Sequence, residues 1–260
     1  YSILQPRISI TPESAEKSLF SKIYSGHTGI DPYTTAVSDS YQDLFGEGIY
    51  TGKGLYVVDT FESSLKNRVS ENTLLSHDLF EGVFARTALV SDIEFLDDYP
   101  SSFESFAKRH YRWIRGDWQI VKWIFTHIPN SRNRPVITPL SFISRWKIFD
   151  NLRRSLVAPT TFLWFVLGWT ILPGHPLLWT FLILTVLALP LYAHTASNIF
   201  KYPRSLSLLE HFKGICDNIK LNLNQLTISI VTLPYQTYLH LDAIVRTLYR
   251  VYFSKANLLE

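Results

Sequence analysis

Apolar residues alternate, then recur at helical spacing, then run together along this chain, and each pattern predicts a different kind of element. Ile3-Leu4-Gln5-Pro6-Arg7-Ile8 reads as a short strand, and Pro12 to Tyr24 as a short helix with proline at its start. Tyr41-Gln42-Asp43-Leu44-Phe45 leads into a glycine-rich turn. From Phe103 to His127 apolar residues follow helical spacing, with a break or bend expected at Gly116. Leu140 to Leu152 mixes Phe142, Ile143, Trp146, Ile148 and Phe149 with charges at roughly helical intervals, which suits an amphipathic helix lying along an interface.

Beyond that point the polar stripe disappears. Leu156 to Leu172 and Leu177 to Ala193 are apolar runs separated by Pro173-Gly174-His175-Pro176. Each is about 17 residues, the lower end of what a bilayer-crossing helix requires, and together they predict a transmembrane hairpin. Arg145, Lys147, Arg153 and Arg154 precede it, Lys201 and Arg204 follow it, and the turn carries neither lysine nor arginine. The positive-inside rule then puts both outer ends in the cytoplasm. Asn222 to Leu241 is apolar but interrupted by Asn224, Gln225, Pro234, Gln236 and His240, and reads as an interfacial or membrane helix. The expected organisation is a mixed α/β region over 1–139, an interfacial helix over 140–155, the hairpin over 156–195 and a juxtamembrane segment over 196–260. The chain starts at Tyr1 and has no methionine, so it is read as a piece of a longer protein.

Composition narrows the classes. A net charge of +3, with no basic run, argues against a nucleic-acid partner. The single cysteine, Cys216, rules out a disulfide within the chain. Gly46-Glu47-Gly48-Ile49-Tyr50-Thr51-Gly52-Lys53-Gly54 superficially suggests a P-loop, but Glu47 stands at a required glycine and Gly54 where Ser or Thr would hold magnesium. Such glycines instead serve a turn between strands or a close approach of backbone to ligand. Asp78, after Ser76-His77, reads as a general base at a helix start or as a helix N-cap. Arg109-His110-Tyr111-Arg112-Trp113 places Arg109, Arg112 and Trp113 on one side of a helix. Guanidinium groups there could grip a departing diphosphate and the indole could carry a sugar ring; a solvated basic helix face fits the same spacing.

These pieces in this order resemble membrane-integral, processive-type glycosyltransferases of GT-A fold, whose late motifs are a Thr-Glu-Asp-like triplet and Gln/Arg-x-x-Arg-Trp. The resemblance sharpens to the cyclic β-1,2-glucan synthase family. It is carried by Ile30-Asp31-Pro32-Tyr33-Thr34, Tyr41 to Gly48, Glu71 to Leu79, Arg112-Trp113 through Gln119, Thr247 to Arg250 and Asn257 to Glu260. The chain departs at Val57, where the family's Tyr-Asp-Val-Asp pattern has its first aspartate; Asp59 remains. The resemblance implies the rear part of a GT-A domain and an inverting glucosyltransferase that polymerises UDP-glucose into β-1,2-glucan. It implies Asp78 as base, Arg109 and Arg112 on the departing UDP, Trp113 at the acceptor, and Gly46, Glu47 and Gly48 among the substrate-binding residues. It also implies a divalent ion, Mg²⁺ or Mn²⁺, whose ligands and uridine site lie upstream; none of the metal ligands is assigned within these residues. The implied partners are UDP-glucose, the growing glucan and the lipid bilayer. The implied setting is the cytoplasmic face of the bacterial inner membrane, in a multi-pass protein with a phosphorylase-like module downstream. The isolated piece is expected to be inactive. A different β-glycan made by the same machinery, and a non-catalytic scaffold or carbohydrate-binding relic, are the competing readings.

Overall fold

The alternation at the start of the chain builds strand β1 (Ile3–Ile10), two residues longer than its pattern predicts because pairing continues to its end. β2 (Leu55–Tyr56) pairs with it antiparallel and β3 (Thr87–Asp97) pairs parallel, giving the order β2–β1–β3. The β1–β3 register shifts between Pro6 and Arg7, where proline lacks the N–H that a regular ladder would use. A second pair, β4 (His127–Pro129) and β5 (Pro135–Ile137), is antiparallel. The structure is a computed structural model and describes residues 1–25, 38–68, 72–75, 78–129, 135–200 and 207–260. The Ile30–Thr34 motif, Glu71, Ser76, His77, Lys201 and Arg204 lie outside the described residues.

Helices dominate this mixed α/β chain. The first predicted helix is in fact two, α1 (Pro12–Glu16) and α2 (Leu19–Tyr24). Ser18 interrupts them: its hydroxyl accepts from the Ser21 N–H while the Ser21 hydroxyl accepts from the Ser18 N–H, a reciprocal cap that starts a new helix. α3 (Ser40–Phe45) is capped by the buried Asp39, whose carboxylate also accepts from the Ile49 N–H at 2.7 Å. α4 (Val58–Leu65) and α5 (Asp78–Ala85) follow. α6 (Phe103–Gln119) runs through Gly116 without the expected break. Gly116 is buried, and the helix ends instead at Ile120, where a 3₁₀ turn over Val121–Ile124 takes over. α7 (Phe142–Ser155) begins at Ser141, which accepts from the Ser144 N–H at 3.0 Å.

The chain divides into two units, Tyr1–Leu156 with Leu239–Glu260, and Val157–Tyr238. The main core of the first joins Phe80 and Val83 of α5, Ile120 and Trp123 after α6, Ile128, Leu140, and Ile148 of α7. Smaller clusters join Ile3, Tyr50 and Ala85, and Ile114 with Ala243 and Ile244.

The second unit corrects the transmembrane hairpin. Its apolar residues form α8 (Val157–Thr170), α9 (Pro176–Leu187) and α10 (Leu189–Phe200). Among the described residues, no helix is long and apolar enough to cross a membrane. At 1.5 Å per residue the first two reach about 21 and 18 Å, against roughly 30 Å of hydrocarbon. The second run is cut at Ala188, just before Pro190, which has no N–H to continue the helical ladder. α8 and α9 do pack together. A Cβ on Gly168 would stand 2.6 Å from the Trp179 Cβ, so only glycine admits that contact, and the Trp169 indole donates to the Thr180 hydroxyl at 2.9 Å. Asn222–Leu241 is not a separate helix: it lies within α11 (Leu208–Tyr249), whose length exceeds its apolar content and which contains Pro234.

Val57 occupies the N-cap position of α4 with extended backbone, is exposed, and makes no side-chain cap hydrogen bond. An aspartate there would accept from the first helical N–H groups, so the departure at this position costs helix stability. Val57→Asp is expected to stabilise the chain by about 1 kcal/mol, read as a higher urea midpoint; a lower midpoint would assign Val57 a packing role.

Candidate functional site

Asp78 is the first residue of α5, so its carboxylate stands where the helix N-terminus favours negative charge. The backbone of Gly52 lies directly against it. A Cβ on Gly52 would fall 2.8 Å from Oδ2 and 2.9 Å from Oδ1 of Asp78, and Gly52 also holds φ +83°. Both the approach and the dihedral exclude any other residue without strain. Two positions earlier, the Tyr50 phenol is pushed up to about 12 by burial, with the charges of Glu81 and Asp78 adding to the shift. The loop itself is anchored on β1, where the Gln5 side chain accepts from the Thr51 N–H at 3.0 Å.

The residue after Gly52 carries the loop to the arginines. Lys53 forms an ion pair with Asp97 at the end of β3. Burial would raise the Asp97 pKa, but Lys53, the Asp98 N–H and the Arg109 charge outweigh it and leave the carboxyl below its usual range. Arg109 projects from α6 with its guanidinium carbon 4.9 Å from the centre of the Trp113 ring and 5.4 Å from that of Tyr99. Burial lowers its pKa, Tyr99 and Asp97 oppose the shift, and the Arg112 charge adds to it; a guanidinium nevertheless stays protonated. Its Nε–H is buried and has no hydrogen-bond acceptor among the described residues. Arg112 is exposed one turn further on, and Trp113 is half-buried. A cation beside an indole face suits an anionic sugar derivative.

His110, between these residues, faces inward. Its ring lies 4.1 Å from that of Phe106 and 5.2 Å from that of Trp113. Burial, then the charges of Arg109 and His240, depress its pKa to about 4, so it is neutral at pH 7.

Gly46, Glu47 and Gly48 have other partners. Gly46 ends α3 in the left-handed conformation, and its carbonyl accepts from the Tyr1 hydroxyl at 2.7 Å. The buried Lys147 ammonium of α7 donates to the carbonyls of Glu47 and Gly48 at 3.0 Å each, and the Ser144 hydroxyl donates to the Glu47 carboxylate. The turn thus joins α3 to α7, while Gly52 is the glycine of this stretch that touches Asp78.

Sequence reasoning assigned no site role to Gly52, Lys53, Asp97, Asp117 or Gln119. Asp117 is two turns along α6 from Arg109, and the Asn151 side-chain amide donates to its carboxylate at 3.1 Å. Burial pushes its pKa up to about 6; the Asn151 hydrogen bond and the Arg154 charge oppose the shift, and the Asp78 charge adds to it. Two aspartates therefore feel each other across α5 and α6. The Gly-Lys-Gly spacing over Gly52–Gly54 was the available signal for the loop. Asp117 carries no local signal, because its environment is made by α7. Among the described residues, no group of three or more His, Cys, Asp or Glu side chains is gathered to hold a metal ion.

The chain belongs to the cyclic β-(1,2)-glucan synthase family. Over its whole length it is 41% identical to cyclic beta-(1,2)-glucan synthase NdvB of Rhizobium meliloti (strain 1021), of which it spans 9%. No family model matches the chain.

The Asp117 shift sets a pH dependence. The folded pKa, about 6, lies above that of an unfolded aspartate, roughly 3.9. The stability this gives is fully present below the unfolded value and is lost as pH rises through the folded one. Asp117→Asn, uncharged throughout, is expected to gain in thermal midpoint relative to wild type as pH rises from 4 to 7. A difference that stays constant across that range would contradict the assignment.

Proposed function

We propose that the chain supplies the base and the arginine–tryptophan side of a GT-A-type inverting glucosyltransferase that extends a β-1,2-glucan from UDP-glucose. The observation that carries this reading is the Gly52–Lys53 loop: one residue lies on the Asp78 carboxylate, and the next pairs with the aspartate beside Arg109. The loop thereby touches the Asp78 carboxylate directly and reaches Arg109 only through Asp97. Asp78 would take the proton of the acceptor 2-hydroxyl as its oxygen attacks the anomeric carbon, and the bond from that carbon to the diphosphate oxygen would break. Arg109 and the exposed Arg112 would bear the charge developing on the departing UDP, and Trp113 would carry the acceptor ring. A divalent ion, Mg²⁺ or Mn²⁺, would supply further charge neutralisation at the diphosphate. Its ligands, the uridine pocket and the downstream phosphorylase-like module would lie elsewhere in the parent protein.

The same reading seats the protein on the cytoplasmic face of the bacterial inner membrane. α7 exposes Phe142, Trp146 and Phe149, the last two with ring centres 5.5 Å apart. α8 and α9 expose Leu163, Trp164, Trp169, Leu177 and Phe181. Such faces suit partial insertion among lipid headgroups and upper acyl chains.

The test is glucose incorporation from labelled UDP-glucose by membranes holding the full-length parent. Asp78→Asn is expected to lower incorporation by roughly 10²–10⁴-fold with the protein still membrane-bound. Undiminished incorporation would refute Asp78 as base and leave a scaffold or relic, whereas a different glycan product would correct the linkage.

A further inference from the structure

We propose that Gln119 is a positioning residue: its side-chain amide holds the Leu75 N–H, three residues before Asp78, and is itself oriented by the main chain at Leu258, which ties the segment 255–260 to the site. The inference rests on the reading of Asp78 as the base.

Gln119 is the last residue of α6 and is 4% exposed. Its Oε1 accepts from the Leu75 N–H at 2.6 Å, and its Nε2 donates to the Leu258 carbonyl at 2.7 Å. The two partners determine the amide's orientation, since reversing it would set donor against donor and acceptor against acceptor. One turn back on the same helix, Arg115 Nη2 donates to the same carbonyl at 3.3 Å. Leu258 is thus gripped twice by α6.

Both strands of chain that meet at this amide are shaped for it. After α11 a π-turn over Arg250–Ser254 leads into Lys255 and Asn257, which hold φ +52° and +54°. Asparagine adopts this conformation readily, whereas lysine does so at a cost. Arg250 donates to the carbonyls of Asn257, at 2.6 Å, and Glu260. On the other side Asn72 is left-handed at φ +57°, and Leu74 packs against the Phe80 core. Leu75 is three residues before Asp78, a reach of at most about 10 Å along the chain. A displacement of Leu75 has little chain in which to dissipate before it reaches the carboxylate.

The experiment uses the full-length parent in membranes and two variants. Gln119→Leu removes both hydrogen bonds. Gln119→Glu keeps an acceptor for Leu75 and loses the donor to Leu258. Hydrogen exchange is followed at Leu75, at 255–260, in α5 and in β1, and glucose transfer is resolved into kcat and KM. For Gln119→Leu, exchange at Leu75 is expected to accelerate about tenfold and kcat to fall about tenfold, the effect of one lost hydrogen bond. KM for UDP-glucose and exchange in α5 and β1 should stay at wild-type values. For Gln119→Glu, Leu75 should remain protected while 255–260 exchanges faster. Unchanged exchange at Leu75, unchanged kcat despite faster exchange, or equal loss of protection in α5 and β1 would each overturn the proposal, the last by showing a purely structural role. Wild-type membranes that incorporate no glucose would instead overturn the proposed function, and the exchange measurements would still decide whether the Gln119 link exists.

Discussion

The helix Phe103–Gln119 must satisfy partners on nearly every side, and that constraint organises the first unit. Successive side chains of a helix point about 100° apart, so neighbours in sequence serve different contacts. Arg109 and Trp113 make the surface beside Tyr99. His110 turns inward against Phe106. The Tyr111 hydroxyl donates to Asp242 of α11 at 2.6 Å, Ile114 packs on Ala243 and Ile244, and the Trp118 indole donates to Ser155 of α7 at 2.9 Å. Asp117 meets Asn151, also in α7. A one-residue slip of this helix would break all of these contacts together, which is why its register, and with it the placing of Arg109, is stiffly held.

Buried charge is handled by pairing with backbone rather than by exclusion. Lys147 is 5% exposed, yet its ammonium has two carbonyl acceptors, the Glu47 carboxylate 3.9 Å away and the Tyr41 ring 5.0 Å away. An unpaired buried ammonium would cost several kcal/mol; here acceptors replace water. The consequence is local order. The turn after α3 is fixed to α7, and the chain leaves that turn towards Tyr50, Thr51 and Gly52 on a set course. Asp117 is treated differently: it has an amide partner and a nearby arginine, but burial still outweighs them, and its proton affinity rises.

What the sequence revealed was what local pattern controls. Alternation marked β1, and the Arg-x-x-Arg-Trp spacing marked the exposed and half-buried side of α6. The split at Ser18 was written in the sequence as a serine three residues before another serine, but apolar spacing across it masked the cap. Gly116 misled because a helix interior tolerates glycine at a cost of about 1 kcal/mol when tertiary contacts hold both flanks. The site was half legible. Asp78 stood out through its neighbours, whereas its contact with Gly52 joins positions far apart in the chain, and the environment of Asp117 depends on a residue more than thirty positions away. Such nonlocal contacts leave no periodic trace. Gly46 and Gly48 drew attention for the same reason as Gly52, and only the fold separates the glycines that turn the chain from the one that meets the carboxylate.

The apolar hairpin shows a related limit of pattern reading. Hydropathy records how many apolar residues follow one another, but a spanning helix also needs unbroken hydrogen bonding across the bilayer. Here Pro173-Gly174 ends the first run and Pro190 divides the second, so the apolar content is distributed over short helices. Their inner contact, Gly168 against Trp179, covers little of that surface, and Leu163, Trp164, Leu177 and Phe181 remain exposed. Exposed apolar surface of this extent is costly in water. Helices of about 18–21 Å exceed half of a roughly 30 Å hydrocarbon layer and fall short of the whole. The break at each proline thus sets the length of these helices, whatever the apolar content of the runs that hold them.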